Sequence, residues 1–255
     1  MRDHCHAKLV VRLVSLSIIM TTFLHAKTLA FRSVMSTARS IQVCTNTTCR
    51  KAGSLGTLDL FRALAPPGVE VKEGGCQGRC GLGPNVLATP SKEVYNGVLK
   101  PATAAAIVEI DFAASVPDAV VSAFDRVSEG DALYARGLHA EALACYSKCI
   151  AQGGLDGSPH ALSVAKLKQS SAAWMAARKR PGKGGVSVTF EDAEASALES
   201  IQLWRSYAPA WLHLSNVLAD SGRLEEALET LAILSKEFPE AKRKASEKAA
   251  RIRRR

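Results

Sequence analysis

The sequence predicts an α/β domain of order β-α-β-β-β-α, followed by an all-α domain of paired helices. Three observations predict this. Between residues 40 and 113, short strand-like apolar stretches flank segments of helical period. After Ala119 the composition turns to Ala, Leu and Glu, with apolar residues at helical spacing throughout. Two cysteine pairs stand directly behind two of the expected strands.

The elements follow in order. "SIQV" (Ser40–Val43) is a strand that runs into Cys44. "LGTLDLFRALAP" places Leu55, Leu58, Phe61 and Leu64 on one helical face and stops at Pro66-Pro67. "VEVK" (Val69–Lys72) alternates apolar and charged residues and leads into a Gly-rich loop and Cys76. "NVLATP" and "EVYNGV" are two short strands separated by a turn at Pro90-Ser91. Pro101 opens the helix "PATAAAIVEIDF", where its missing N–H costs nothing. The stretch "SVPD" links this domain, residues 40–113, to the helical one, residues 119–241.

The formal charge of +9 is concentrated at the ends of the chain. Residues 1–40 carry six Lys/Arg against one acid, and residues 242–255 carry eight against one, so the body between them is mildly acidic. No broad basic face for a phosphate backbone is expected there, and nucleic acid is not an expected partner. The tail "KRKASEKAARIRRR" reads as a basic helix that caps the last repeat; a docking strip for an acidic protein or RNA is its other reading. No nucleophile–base pair, phosphate-binding Gly loop or zinc-hydrolase motif is present, so a stand-alone enzyme is not the first expectation.

Residues 1–39 read as a targeting presequence. Arg2, Lys8 and Arg12 precede an apolar run, Leu13 to Leu24, too short to span a bilayer, and "TLA" offers a cleavage site near residue 30. "FRSVMSTARS", from Phe31, is Ser- and Arg-rich without an acid, the composition of a transit peptide. A signal peptide followed by a transit peptide beginning with Phe resembles the bipartite presequence of algae with secondary plastids. That resemblance implies a plastid address; simple secretion or an uncleaved membrane anchor are the alternatives. No membrane span is expected in the mature chain.

The seven cysteines divide by position. Cys5 lies in the presequence, and Cys145 and Cys149 sit four apart in a helical pattern as small apolar packing. Cys44, Cys49, Cys76 and Cys80 remain, as C-x4-C and C-x3-C. From the residues alone they suit an iron–sulfur cluster, a zinc ion or two disulfides. Structural zinc sites favour tighter C-x2-C pairs, and a plastid stroma is largely reducing.

With "CGLGP" after Cys80 and "Y-x-G-V" before the last helix, residues 40–113 resemble the thioredoxin-like [2Fe–2S] ferredoxins. That group includes a small subunit of respiratory complex I. The resemblance implies a thioredoxin-like fold and makes Cys44, Cys49, Cys76 and Cys80 the four thiolate ligands of one [2Fe–2S] cluster. The spacing departs from the plant-type ferredoxin run. Gly78, Gly81 and Gly83 would let the backbone bring N–H groups close to cluster sulfurs, and Arg79 would offset charge or simply face water.

"EGDALYARGLHAEALACYSKCI", with Gly130, Leu133, Gly137, Ala142 and Tyr146, resembles a tetratricopeptide (TPR) unit. "AWLHLSNVLADSGRLEEALETLAILSKEFPEA" repeats it, and "AKLKQSSAAWMAARKR" with "FEDAEASALESIQLWRSYAP" forms a middle unit lengthened by the loop Pro181–Thr189. Three units make a self-supporting stack. Trp174, Trp211 and Leu231 are expected in its core, and His139, His160 and His213 as packing or surface histidines. The resemblance implies protein partners in a concave groove. Val127, Asp131, Gln169, Pro209 and His213 fall where co-chaperone TPR domains carry a carboxylate clamp; none is Lys or Arg, so no chaperone clamp is expected. The combined expectation is one-electron transfer or redox sensing, with a partner at the cluster edge and another in the groove. The alternative is a TPR scaffold whose first domain is structural or binds zinc.

Overall fold

The computed structural model describes residues 38–179 and 188–254, so the presequence readings, Cys5 and most of the Pro181–Thr189 loop lie outside the described residues. Four strands, β1 (Ser40–Cys44), β2 (Glu70–Gly74), β3 (Val86–Thr89) and β4 (Val94–Tyr95), form one sheet in the order β2-β1-β3-β4. β1 and β2 run parallel, with Cys44 opposite Gly74; β3 is antiparallel to β1, and β4 to β3. The crossover between the parallel strands holds two helices, α1 (Thr47–Lys51) and α2 (Ser54–Leu64), and α3 (Pro101–Phe112) closes the region. The short α1 was not expected from the sequence. It is one turn and a half with no apolar period, so only tertiary contact fixes it.

Three helix pairs follow: α4 (Asp118–Ala135) with α5 (His139–Ala151), α6 (Pro159–Ala177) with α7 (Phe190–Leu203), and α8 (Ala208–Asp220) with α9 (Leu224–Glu237). These are TPR-like repeats following an α/β region, and the tail forms a further helix, α10 (Lys242–Ile252). Gly130 shows why a small residue is needed in the first pair, since a Cβ there would collide with the Tyr146 ring. Trp211 and Leu231 are buried as expected, whereas Trp174 is only half-buried, donating its indole N–H to Asp220 and lying under Arg178. Among the described residues, no helix is long and apolar enough to cross a membrane.

The two regions share one apolar core, continuous from Ile41 in β1 to Ile252 in α10. The linker takes part in it, with Val116 buried. The helix α2 makes the junction. Its periodicity predicts one apolar face, but it buries Thr57, Leu60 and Ala63 in addition to Leu58, Phe61 and Leu64. One face packs on the sheet and another on α6, so a single-stripe reading was too narrow. Leu55, the first residue of the expected stripe, is instead 46 % exposed at the rim of a cleft between α2, α4 and α6.

Candidate functional site: two cysteine loops at one end of the sheet

The parallel pairing of β1 with β2 decides where the cysteines go. Cys44 ends β1, and Cys76 lies two residues past Gly74, the partner of Cys44, so both loops leave the same end of the sheet. Cys49 follows on α1, and Cys80 on the loop before β3. Cys44 and Cys49 are buried, while Cys76 and Cys80 are exposed. The sulfurs fall in two pairs: Cys76 and Cys80 stand 3.3 Å apart, and Cys49 interacts with Cys44. The pairs are within electrostatic reach, since Cys49 feels Cys76, and Cys80 feels both Cys44 and Cys49. Among the described residues, no three His, Cys, Asp or Glu side chains converge on a point suited to a single metal ion.

Backbone groups lie near the sulfurs. Gly78 donates to Cys76 Sγ at 3.4 Å, and the Asn85 backbone lies close enough to Cys49 to draw its thiol down. Donors of this kind favour thiolate. The Gly78 N–H, the hydrogen bond from Cys80 and the Asn46 side chain hold the Cys76 thiol below its ordinary range. Its partner Cys80 is pushed up, because the pair shares one proton more easily than it loses two. Burial pushes the Cys49 thiol up, against the pull of the Asn85 backbone.

Two glycines have separate reasons. Gly78 takes φ +76° to turn the loop back between the cysteines, a conformation that costs a side chain dearly. Gly83 lies against Cys49, where a Cβ would come within 2.6 Å of Sγ. The sequence reading missed Asn85 and Asn46. Asn85 is 1 % exposed and joins both loops: its carbonyl accepts from the Cys44 N–H at 2.9 Å, and its side chain donates to the Arg79 carbonyl at 2.8 Å. An Asn directly behind "CGLGP" was the available signal. Arg79 is exposed, its guanidinium 3.5 Å from the Val94 carbonyl.

Among the described residues, the other cysteines and histidines are packing groups. Cys149 is buried on the Ala123 carbonyl, and Cys145 reaches the Arg126 carbonyl. His160 stacks on Trp204 at 4.1 Å, and His139 packs against Tyr134. His213 is buried with Nε2 2.9 Å from Ser170 Oγ; Ser170 spends its own proton on the Ala193 carbonyl, so Nε2 carries the hydrogen of the pair.

The helical region presents its second feature at the α2 junction. The helices α4, α6 and α8 touch in sequence, forming one layer, and α2 lies on its α6 member. Asp59 of α2 accepts from the buried Tyr207 hydroxyl at 3.2 Å and lies 3.9 Å from Lys168 Nζ. Lys168 donates to both oxygens of Asp131, at 3.0 and 2.9 Å, and Asp131 also accepts from Tyr146 at 2.6 Å. Burial alone would push the Lys168 ammonium down, but the two carboxylates outweigh it and hold it above its usual value. Of the clamp-position residues, Val127 is buried, Gln169 bonds Ser147, and Asp131 and His213 are engaged as described. Lys168, next to Gln169, is the basic residue that the alignment by position overlooked.

Searches against protein families and against curated proteins return no match. Several solved structures resemble about half of the chain. The second TPR domain of human RPAP3, in complex with an HSP70 peptide, is 20 % identical, with a TM-score of 0.41 over 51 % of this chain and 94 % of that one. The first TPR of Spaghetti (RPAP3), bound to an HSP90 peptide, is 22 % identical, with a TM-score of 0.40 over 52 % and 93 %. The Yersinia enterocolitica type III secretion translocator chaperone SycD is 16 % identical, with a TM-score of 0.41 over 54 % and 94 %. At these scores the likeness adds no weight to a function, and the repeat assignment stands on the helix pairs themselves.

Proposed function

We propose that Cys44, Cys49, Cys76 and Cys80 hold one [2Fe–2S] cluster in a thioredoxin-like domain, and that the protein moves single electrons or reports a redox state to a bound partner. The observation that carries this reading is the grouping of the four thiols as two neighbouring pairs, Cys44 with Cys49 and Cys76 with Cys80, at one sheet end. A binuclear cluster takes two thiolates on each iron, whereas a lone zinc ion needs its ligands on one tetrahedron. The donor set fits in chemistry as well: the Gly78 N–H donates to Cys76, and Gly83 keeps the space beside Cys49 free of a side chain. When bound, the group would supply a one-electron couple. The chain's own residues would ligate it, bury one pair of sulfurs and leave the other near solvent. The absence of a chaperone clamp belongs to the same proposal, since Lys168 is held by Asp131 and Asp59. So does a plastid address, which a fluorescent fusion of residues 1–45 would test: secretion of that fusion into the medium rejects it.

The test uses the full-length chain purified without oxygen. Visible absorption with two irons and two sulfides per chain is expected, and Ser in place of any of the four cysteines should weaken it, while Cys145→Ser leaves it intact. Stoichiometric zinc and a colourless protein would reject the cluster. A second reading, a scaffold whose first domain is structural, draws on the shared core and on α2 lying against α6. It predicts that Cys76→Ser/Cys80→Ser supports full function in cells.

A further inference from the structure

The register of the sheet gathers more than cysteines at this end. Cys44 lies opposite Gly74, Val43 opposite Val86, and Val86 opposite Tyr95. The loops 45–53, 75–85 and 96–100 therefore all emerge together. They carry Arg50, Lys51, Arg79 and Lys100, all exposed, and not one Asp or Glu. Helices α2 and α3 also begin here, and neither has an acid in its first turn, where the helix dipole would favour one. The carboxylate closest in sequence to the Cys76 loop, Glu73, is cancelled by Lys244 of α10 at 2.6 Å, which brings the basic tail helix to the same edge. Within this positive rim stand exposed apolar side chains: Leu82 at 59 %, Leu99 at 55 % and Leu55 at 46 %. Leu99 lies against Gly53, and the Leu82 carbonyl is close to Gly97, so the loop 96–100 touches both of the others.

We infer that this end of the sheet is a docking surface for an acidic protein face with an apolar centre. Charge complementarity steers such a partner in, and the leucines give it a small dry contact. The three loops hold no Phe, Tyr or Trp. They thus lack both the stacking platform of a single-stranded nucleic acid site and the aromatic anchors of a membrane interface. That the partner is a redox protein rests on the cluster reading; the surface itself does not.

The experiment measures binding of the full-length chain to three probes: a fluorescent glutamate–alanine copolymer, an oligouridylate, and phosphatidylserine vesicles. The copolymer should bind most tightly and release with added salt. Arg79→Glu should weaken it by roughly fivefold or more. Lys92→Glu makes the same charge reversal on the β3–β4 turn, at the opposite end of the sheet, and should change binding less than about twofold. Leu82→Ser should weaken the copolymer without changing the salt dependence. Equal losses from Arg79→Glu and Lys92→Glu would overturn the surface, as would tighter binding of the oligouridylate or the vesicles. Visible absorption is recorded on the same samples. A colourless protein that binds in the Arg79-dependent way supports the surface while rejecting the cluster.

Discussion

Gly83 and His213 show how much a single position can decide. At Gly83 the neighbour is Cys49 Sγ, within 2.6 Å of where a Cβ would stand, so Gly83→Ala forces the buried cysteine or its loop to move. Overpacking of this kind costs about 1–3 kcal/mol. Urea denaturation should show that loss, and on the cluster reading the visible absorption should fall with it. Gly157→Ala meets nothing within 4 Å and should leave stability nearly unchanged. His213 gives a pH signature. Burial pushes it down to about 4 from an ordinary 6.5, so the folded protein keeps it neutral while the unfolded chain takes up a proton. Its contribution is complete above pH 6.5 and is lost as the pH falls from there towards 4, to a limit of about 3 kcal/mol. His213→Gln should be less stable at neutral pH and lose less on acidification over that window. Parallel acid profiles for the two proteins would contradict this.

Among the elements, α2 bears the most weight. It separates the two cysteine loops in sequence, lies on the sheet, and presents Asp59 to Tyr207 and Lys168 of the helical region. Lys168→Met would leave Asp131 without its cation and Asp59 paired with Arg62 alone, at 3.2 Å. Removing one partner of a buried charge group costs about 3–5 kcal/mol, and the partial exposure of both carboxylates reduces this to about 1–3 kcal/mol. Lys168→Met/Asp59→Asn should recover part of the loss, and a double-mutant cycle by denaturation measures how much. Strict additivity would mean that the pair at 3.9 Å does not couple the two regions. The helices were legible from sequence, their starts less so: Pro101 does open α3 and the basic tail is helical, but α4 and α6 begin at Asp118 and Pro159, ahead of the stretches that carry the repeat pattern. The second buried face of α2 was not legible, because a helix packed between a sheet and another helix loses the single stripe on which a periodicity reading depends.

At the scale of the whole molecule, the continuous core predicts that the α/β region and the repeats unfold together. Trp174, Trp204 and Trp211 all lie in the helical region, so their fluorescence reports only that part. Amide exchange at Ile41 and Val43 reports β1. The two should give the same free energy of opening; a markedly lower value at β1 would show that the regions unfold independently.

The sequence by itself determined the local features: strand, helix and turn periods, the repeat of small residues that lets paired helices close, and the spacing of four cysteines after two strands. These are encoded within a few residues of one another, where backbone geometry leaves little choice. Only the tertiary structure decided which strands run parallel, and hence that Cys44, Cys49, Cys76 and Cys80 share one end of the sheet with Arg50, Arg79 and Lys100. It also decided that Asn85 bridges the two cysteine loops and that Lys168 meets Asp59 across more than a hundred residues of chain. Strand register and helix-on-helix docking depend on pairs distant in sequence, and a single chain's local pattern carries no record of which distant partner closes the contact.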